Sequence, residues 1–416
     1  MRRTMIFFFR FFLFMFFVVT LSHRADAFEI DNEDFPFKDP FLSTFLVNQT
    51  KPESDYFMKR MRTHYLRLDK NRPAFRYSYW KNRDSSALAV VIPGMNASCR
   101  DYRAGILAEM FYARGYSVVV VSSSMHWTFV RSALSAATPG YVPSDASDMR
   151  NVIAVIVQDL EKRNKRTFSK KVLAGISLGG IHSLFIADQE RQETKIGLDW
   201  ILALNPIVDF GESLNAIDRM YVDSLTYLRS LGAENWNESL FSLHISNMMD
   251  FQKKQMSPPL FPEEMRFLLG LYFKRSLMEF ILVSRQQCDL GVLSQSHSTL
   301  RRQSLYDEAE LYDFDGYVRE FVMRYYQDHA EERWDALKSK EEILAESSLR
   351  RIADTLRQNQ EIKIIHTTDD PLNGPDSIRF LKDTLSEDQL YLYRYGGHVG
   401  LLASESVRET IRDLIP

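Results

Sequence analysis

Residues 171–183 read Lys-Val-Leu-Ala-Gly-Ile-Ser-Leu-Gly-Gly-Ile-His-Ser, which places Ser177 midway between Gly175 and Gly179. An apolar run of strand length enters this Gly-x-Ser-x-Gly pattern, and Ile181, Leu184, Phe185, Ile186 and Ala187 leave it at helical spacing. The pattern predicts a strand, a sharp turn and a helix. A serine at the tip of such a turn needs neighbours without Cβ, because the chain passes close on both sides. Its hydroxyl then stands at a helix N-terminus, where unpaired N–H groups and the helix dipole favour developing negative charge. That is the setting of a nucleophile. A phosphate-cradling loop would need a Lys-Ser/Thr pair after Gly180, and the sequence continues Ile181-His182 instead. With only 17 glycines in 416 residues, chance is a poor source of the match.

A serine nucleophile requires a base, and the base a third group that holds its tautomer. Of nine histidines, His398 is the best placed, in Tyr395-Gly396-Gly397-His398-Val399-Gly400 after an apolar run, where glycines let the loop fold back. His182 lies on the predicted elbow helix and should point away from the hydroxyl, His126 follows another strand, and His244 and His297 fall in a long helical stretch. For the carboxylate, Ile364-Ile365-His366-Thr367-Thr368 runs into Asp369-Asp370-Pro371, two acids closing a strand that proline ends.

Taken together, the elbow, the Asp-Asp-Pro turn and Gly-Gly-His-x-Gly, in the chain order Ser177, Asp369, His398, resemble the α/β-hydrolase superfamily over roughly residues 60–210 and 360–416. The resemblance implies a mostly parallel mixed sheet covered by helices and an acyl-enzyme formed on Ser177, with His398 as base and then acid. It puts the orienting acid at Asp369, the first aspartate of the turn, with Asp370 as the alternative. It also implies an oxyanion hole from the Leu178 N–H and a second N–H in Pro93-Gly94-Met95-Asn96; proline has none to give, which points to Met95. A serine hydrolase of this kind needs no cofactor and no metal. The expected substrate is a small-molecule or lipid-like carboxylic ester. Thioester or amide cleavage and acyl transfer would use the same residues, and a non-catalytic binding protein could keep the same fold.

The elements that must position these residues can be read from periodicity. Tyr65–Leu68 and Phe75–Trp80 alternate apolar and polar about Asp69 to Pro73, as an antiparallel hairpin does. Apolar runs at 87–92, 117–121, 171–176, 200–204, 362–365 and 390–393 then alternate with helical stretches, as in a parallel sheet with both faces covered. From Asn205-Pro206 to Glu361 the strand rhythm stops. Helical stretches rich in large apolar residues, such as 265–273, take its place. The division expected is an arm at 28–60, a core at 61–209 and 361–416, and a helical cap inserted at 210–360 that leaves and rejoins beside the serine.

Composition narrows the partners. A net charge of −3, with 26% charged and 45% hydrophobic residues, has no basic stripe for nucleic acid. Residues 1–27 read as an export signal: Met1-Arg2-Arg3, an apolar stretch from Phe11 to Leu21, and Ala25-Asp26-Ala27 before a chain beginning near Phe28. If it is not cleaved, this segment is the one expected membrane contact, as an anchor. Cys99 and Cys288 are the only cysteines. In an exported chain they could pair, but two cysteines so far apart do not make a zinc site.

Overall fold

The computed structural model describes residues 28–47, 50–230, 262–295, 302–329 and 338–416. The export-signal reading of residues 1–27, His244 and His297 lie outside the described residues. Among the described residues nine strands form one sheet: β1 (Glu29–Ile30), β2 (Arg62–Leu66), β3 (Phe75–Trp80), β4 (Ala87–Ile92), β5 (Ser117–Val120), β6 (Lys170–Ile176), β7 (Trp200–Leu204), β8 (Ile362–Thr367) and β9 (Leu390–Tyr393). Their order across the sheet is β1-β9-β8-β7-β6-β4-β5-β3-β2. The hairpin β2–β3 is antiparallel, with Leu66 opposite Phe75, and β3 joins β5 antiparallel. All other pairings are parallel.

The continuous apolar runs follow from burial on both faces. Side chains alternate across a strand, so Leu88, Val90, Ile92, Leu173, Ile201 and Ala203 enter one core, while Ala89, Val91, Val172, Ala174, Leu202 and Leu204 enter the other. The helices Val142–Asn164 and Leu178–Gln192 supply Ile153, Ile156, Ile181 and Leu184 to the first core. Those at Tyr102–Ala113 and Glu405–Leu414 supply Leu107, Phe111, Val407 and Ile411 to the second.

Between β7 and β8 the described elements are helical: Phe210–Ser230, Pro262–Gln287, Gln303–Glu310, a run from Phe314 to Asp328, Lys340–Glu346, and Leu349 to Gln358. The helical run at the end of the insertion is broken at Ser347-Ser348, between Lys340–Glu346 and Leu349–Ile352. There the Leu349 N–H and the Ser348 hydroxyl both donate to the Val208 carbonyl, tying the end of the insertion to its beginning. Arm residues are not merely laid on the surface. β1 extends the sheet along β9, and the helix Pro40–Leu46 buries Ser43, Thr44, Phe45 and Leu46. Both cysteines are free, Cys99 buried and Cys288 half-buried. Among the described residues no helix is long and apolar enough to cross a membrane.

His182 is fully buried in the elbow helix, and among the described residues neither ring nitrogen has a hydrogen-bond partner. Burial pushes its pKa down to about 3. An unfolded chain would protonate it near 6.5, so the stability linked to this neutral ring is intact above about pH 6.5 and is lost as pH falls toward about 3. At pH 5 the linked loss is about 2 kcal/mol. His182→Leu should therefore lose less melting temperature than the parent between pH 7 and pH 5, as read by thermal denaturation at both pH values.

Candidate active site

β6 delivers Ser177 into the turn at φ 54° and ψ −118°, a conformation that side-chain-bearing residues seldom adopt. Fixed hydrogen bonds hold it there. Ser177 N–H donates to the Leu204 carbonyl at 2.9 Å, and its own carbonyl accepts from Gly180 and Ile181 N–H at 2.8 and 3.2 Å. The two glycines are needed for space: a Cβ on Gly175 would fall on the Gly179 carbonyl and Ser183 Oγ, and one on Gly179 on the carbonyls of Ile92 and Pro93. The loop after β4 lies against the serine, since a Cβ on Gly94 would stand 3.4 Å from Ser177 Cβ.

His398 Nε2 lies 2.7 Å from Ser177 Oγ, and His398 Nδ1 lies 2.8 Å from Asp370 Oδ2. An ionised carboxylate only accepts, so Nδ1 carries the proton and the Nε2 lone pair faces the serine hydroxyl. Ser177 is half-buried, whereas His398 and Asp370 are buried.

The carboxylate beside His398 Nδ1 is that of Asp370, the alternative of the two, and not that of Asp369. Both aspartates sit on the turn after β8, but their carboxylates face different partners. Asp369 accepts from the Gly396 and Gly397 N–H groups at 3.1 and 2.8 Å, bracing the backbone before His398. Asp370 reaches the imidazole. Its Oδ2 also accepts from Asn205 Nδ2 at 3.0 Å and Asn373 Nδ2 at 3.3 Å, and its Oδ1 from the Leu372 N–H at 2.9 Å. His366 Nε2 stands 3.8 Å from the same Oδ2. Burial alone would raise the Asp370 pKa, but His398, His366 and the hydrogen bonds outweigh it and hold the carboxyl at about 2. Burial raises Asp369, opposed by the two glycine N–H groups.

Leu178 follows Ser177 in the chain, and Met95 follows Gly94 in the loop that lies against the serine. Leu178 opens the helix after Ser177, where an N–H has no intrahelical acceptor. Met95 is half-buried in the turn closed by Ala97 N–H to Gly94 O at 3.2 Å. The next residue, Asn96, adopts φ 55° and donates from Nδ2 to Ser276 Oγ at 3.3 Å and Glu279 Oε2 at 3.0 Å. The insertion thus touches the loop beside the serine through the middle of Pro262–Gln287. The earlier stretch 265–273 packs on the insertion's first helix, where Phe267 stacks on Tyr221 and Gly270 crosses the backbone of Tyr221 too closely for a Cβ, and it also meets the arm, Arg266 lying over the Phe41 ring.

The other histidines have separate places. His126 is buried, held by Thr128, and shifted down to about 4 by burial. His182 does not reach Ser177. Two site residues escaped the sequence reading. Asn205, at φ 41°, links Asp370, Thr367 Oγ1 and the Gly397 carbonyl. A polar residue closing the apolar strand β7 was its only signal. Thr44, in the arm, accepts from the His398 N–H at 2.8 Å, and no local pattern announces it.

The strand order, the antiparallel second position at β3, the turn at Ser177 and the Ser–His–Asp chain define an α/β-hydrolase fold. No protein-family model and no curated protein matches the sequence. Among solved structures, one described as an arylesterase aligns over 96% of this chain and 97% of its own at 12% identity and TM-score 0.44. An esterase of Pyrococcus furiosus aligns over 88% and 94% at 8% identity and TM-score 0.44. The thioesterase domain from the curacin biosynthetic pathway aligns over 84% and 99% at 15% identity and TM-score 0.38.

Gly179→Ala tests the geometry of the turn directly. The added methyl meets the backbone carbonyls of Ile92, the last residue of β4, and Pro93, the next one, which cannot rotate away as a side chain would. The variant should lose about 3 kcal/mol or more, or fail to accumulate as folded protein. Denaturant unfolding, with Gly197→Ala as a solvent-side control at φ 72°, checks this.

Proposed function

We propose that this chain is an exported serine hydrolase that cleaves a carboxylic ester through an acyl-enzyme on Ser177. The observation that carries the reading is the continuous path from Ser177 Oγ through His398 to a buried, ionised Asp370. In the first half-reaction His398 Nε2 takes the hydroxyl proton as Oγ attacks the carbonyl carbon. The carbonyl oxygen becomes an oxyanion, received by the N–H groups of Leu178 and Met95. Collapse expels the alcohol, which takes its proton from His398. Water then repeats the sequence on the acyl-enzyme and releases the acid. Asp370 keeps Nδ1 protonated throughout and stabilises the imidazolium without taking the proton. Export rests on the signal-like composition of residues 1–27.

The contact of Asn96 with Ser276 and Glu279 supports a substrate path bordered by the insertion, so the helix Pro262–Gln287 would meet the acyl or alcohol portion. Thioesters, amides and other acyl acceptors are distinguished from esters by turnover on matched acyl groups.

The decisive experiment is labelling with a fluorophosphonate, followed by a screen of ester chain lengths. Labelling should map to Ser177 and vanish in Ser177→Ala, which should fold as the parent does; ester hydrolysis by folded Ser177→Ala would remove Ser177 from the mechanism. The adjacent acids provide the second test. Asp370→Asn should lower kcat about 10⁴-fold by presenting the wrong histidine tautomer. Asp369→Asn keeps one acceptor for the glycine N–H groups and should cost about 10-fold or less. Steady-state kinetics on the two variants decide the assignment, and the reverse ranking would return the role to Asp369.

A further inference from the structure

The loop bearing His398 is held in a backbone form it would not choose alone. Gly396 and Gly397 have φ of 145° and 55°, and Val399 has φ 69°, a β-branched residue in the left-handed region. Such strain persists only where the surroundings over-determine it. One side of that restraint is the turn after β8: Asp369 accepts from Gly396 and Gly397, while Thr367 Oγ1 donates to the Gly397 carbonyl at 2.7 Å and Asn205 Nδ2 does so at 3.3 Å. The other side is the N-terminal arm.

The arm grips the loop at successive points. Asn32 Nδ2 donates to the Tyr395 carbonyl at 2.9 Å, and its Oδ1 accepts from the Tyr395 N–H at 3.0 Å, reproducing the pairing of a neighbouring strand just beyond the end of β1. Thr44 Oγ1 donates to the Pro40 carbonyl at 2.6 Å, which turns a lone pair toward the His398 N–H, 2.8 Å away. Pro40 and Ser43 carbonyls press on Gly397 and Gly400 so closely that neither could carry a Cβ. Thr44 is 6% exposed and His398 5%, so water does not replace this bond if it is lost.

We infer that the arm is a working part of the active site, and that Thr44 is a positioning residue that fixes the His398 backbone so that its ring spans Ser177 and Asp370. The inference rests on the proposed Ser177–His398–Asp370 mechanism for its kinetic readout. It goes beyond that mechanism by placing a requirement for rate in residues 29–46. A strap that served stability alone would change how much protein is folded. A positioning strap changes the rate of each folded molecule.

Thr44→Val removes the acceptor at nearly constant shape, and Thr44→Ser restores it. With active sites counted by fluorophosphonate titration, Thr44→Val should lower kcat per titrated site and the labelling rate constant by about 10-fold or more, as loss of one buried hydrogen bond allows. KM should stay within about twofold. Thr44→Ser should recover both rates. A Thr44→Val protein with parental kcat per site, even if it melts lower, would overturn the inference. Should Thr44→Val fail to fold, Asn32→Ala releases the same loop at Tyr395 and is read identically. A substrate-independent measurement separates this inference from the proposed reaction: the far-downfield Nδ1–H proton signal of His398, seen by NMR in the parent, should be lost or broadened in Thr44→Val and return in Thr44→Ser. An unchanged signal would overturn the inference. Loss of that signal, with a parent that neither labels nor hydrolyses esters, would support the strap while rejecting the hydrolase reading.

Discussion

The backbone of Ser177 sets the terms for everything around it. A residue at φ 54° and ψ −118° is costly, and β6 can hold it there only if the sheet on either side is rigid. Leu204 of β7 takes its N–H, while Ile92 and Pro93 at the end of β4 lie against Gly179. The strands flanking β6 therefore do more than bury apolar surface. They fix the hydroxyl relative to the loop carrying Gly94 and Met95, and their alternating side chains anchor both to separate cores.

From that fixed point, the rest of the site is a problem of bringing two flexible partners to one atom. The imidazole needs its far nitrogen protonated, and a buried carboxylate with several donors can do this without neutralising itself. Asp370 has them from His398, Asn205, Asn373 and Leu372. The same arrangement explains why the two adjacent aspartates divide their work. One carboxylate cannot satisfy the glycine N–H groups before His398 and also reach the ring, so the turn supplies one acid for the backbone and one for the side chain.

Legibility in the sequence followed the range of the interaction. Ser177 was visible because the turn imposes small residues at fixed local spacing, and the strands because burial on two faces demands unbroken apolar runs. The loop of His398 was visible through its glycines, two of which do take positive φ. The choice between Asp369 and Asp370 was not visible, since an aspartate suits either place in the turn and only the folded contacts, Gly396 and Gly397 for one and His398 for the other, tell them apart. Thr44 and Asn205 were hidden for a stronger reason. Their roles consist of contacts with residues far along the chain, and a threonine on a short helix or an asparagine after a strand has many ordinary uses. The described elements of the insertion are helices, and one of them reaches the loop beside Ser177. Its contact point, Ser276 and Glu279 on Asn96, lay beyond the apolar stretch 265–273 that composition singled out.

The parallel pairing of Glu29 with Leu392 and Ile30 with Tyr393 joins the first described strand to the last. During synthesis Glu29 and Ile30 emerge long before Leu392 and Tyr393, so this edge of the sheet waits for β9. Domains generally assemble as units as the chain lengthens. Here the lengthening chain holds a serine turn complete in its local sequence while His398 is still to come. A molecule that ended before β9 would carry the turn of Ser177 without His398. The order of the chain thus sets the order in which Ser177, Asp370 and His398 can come together.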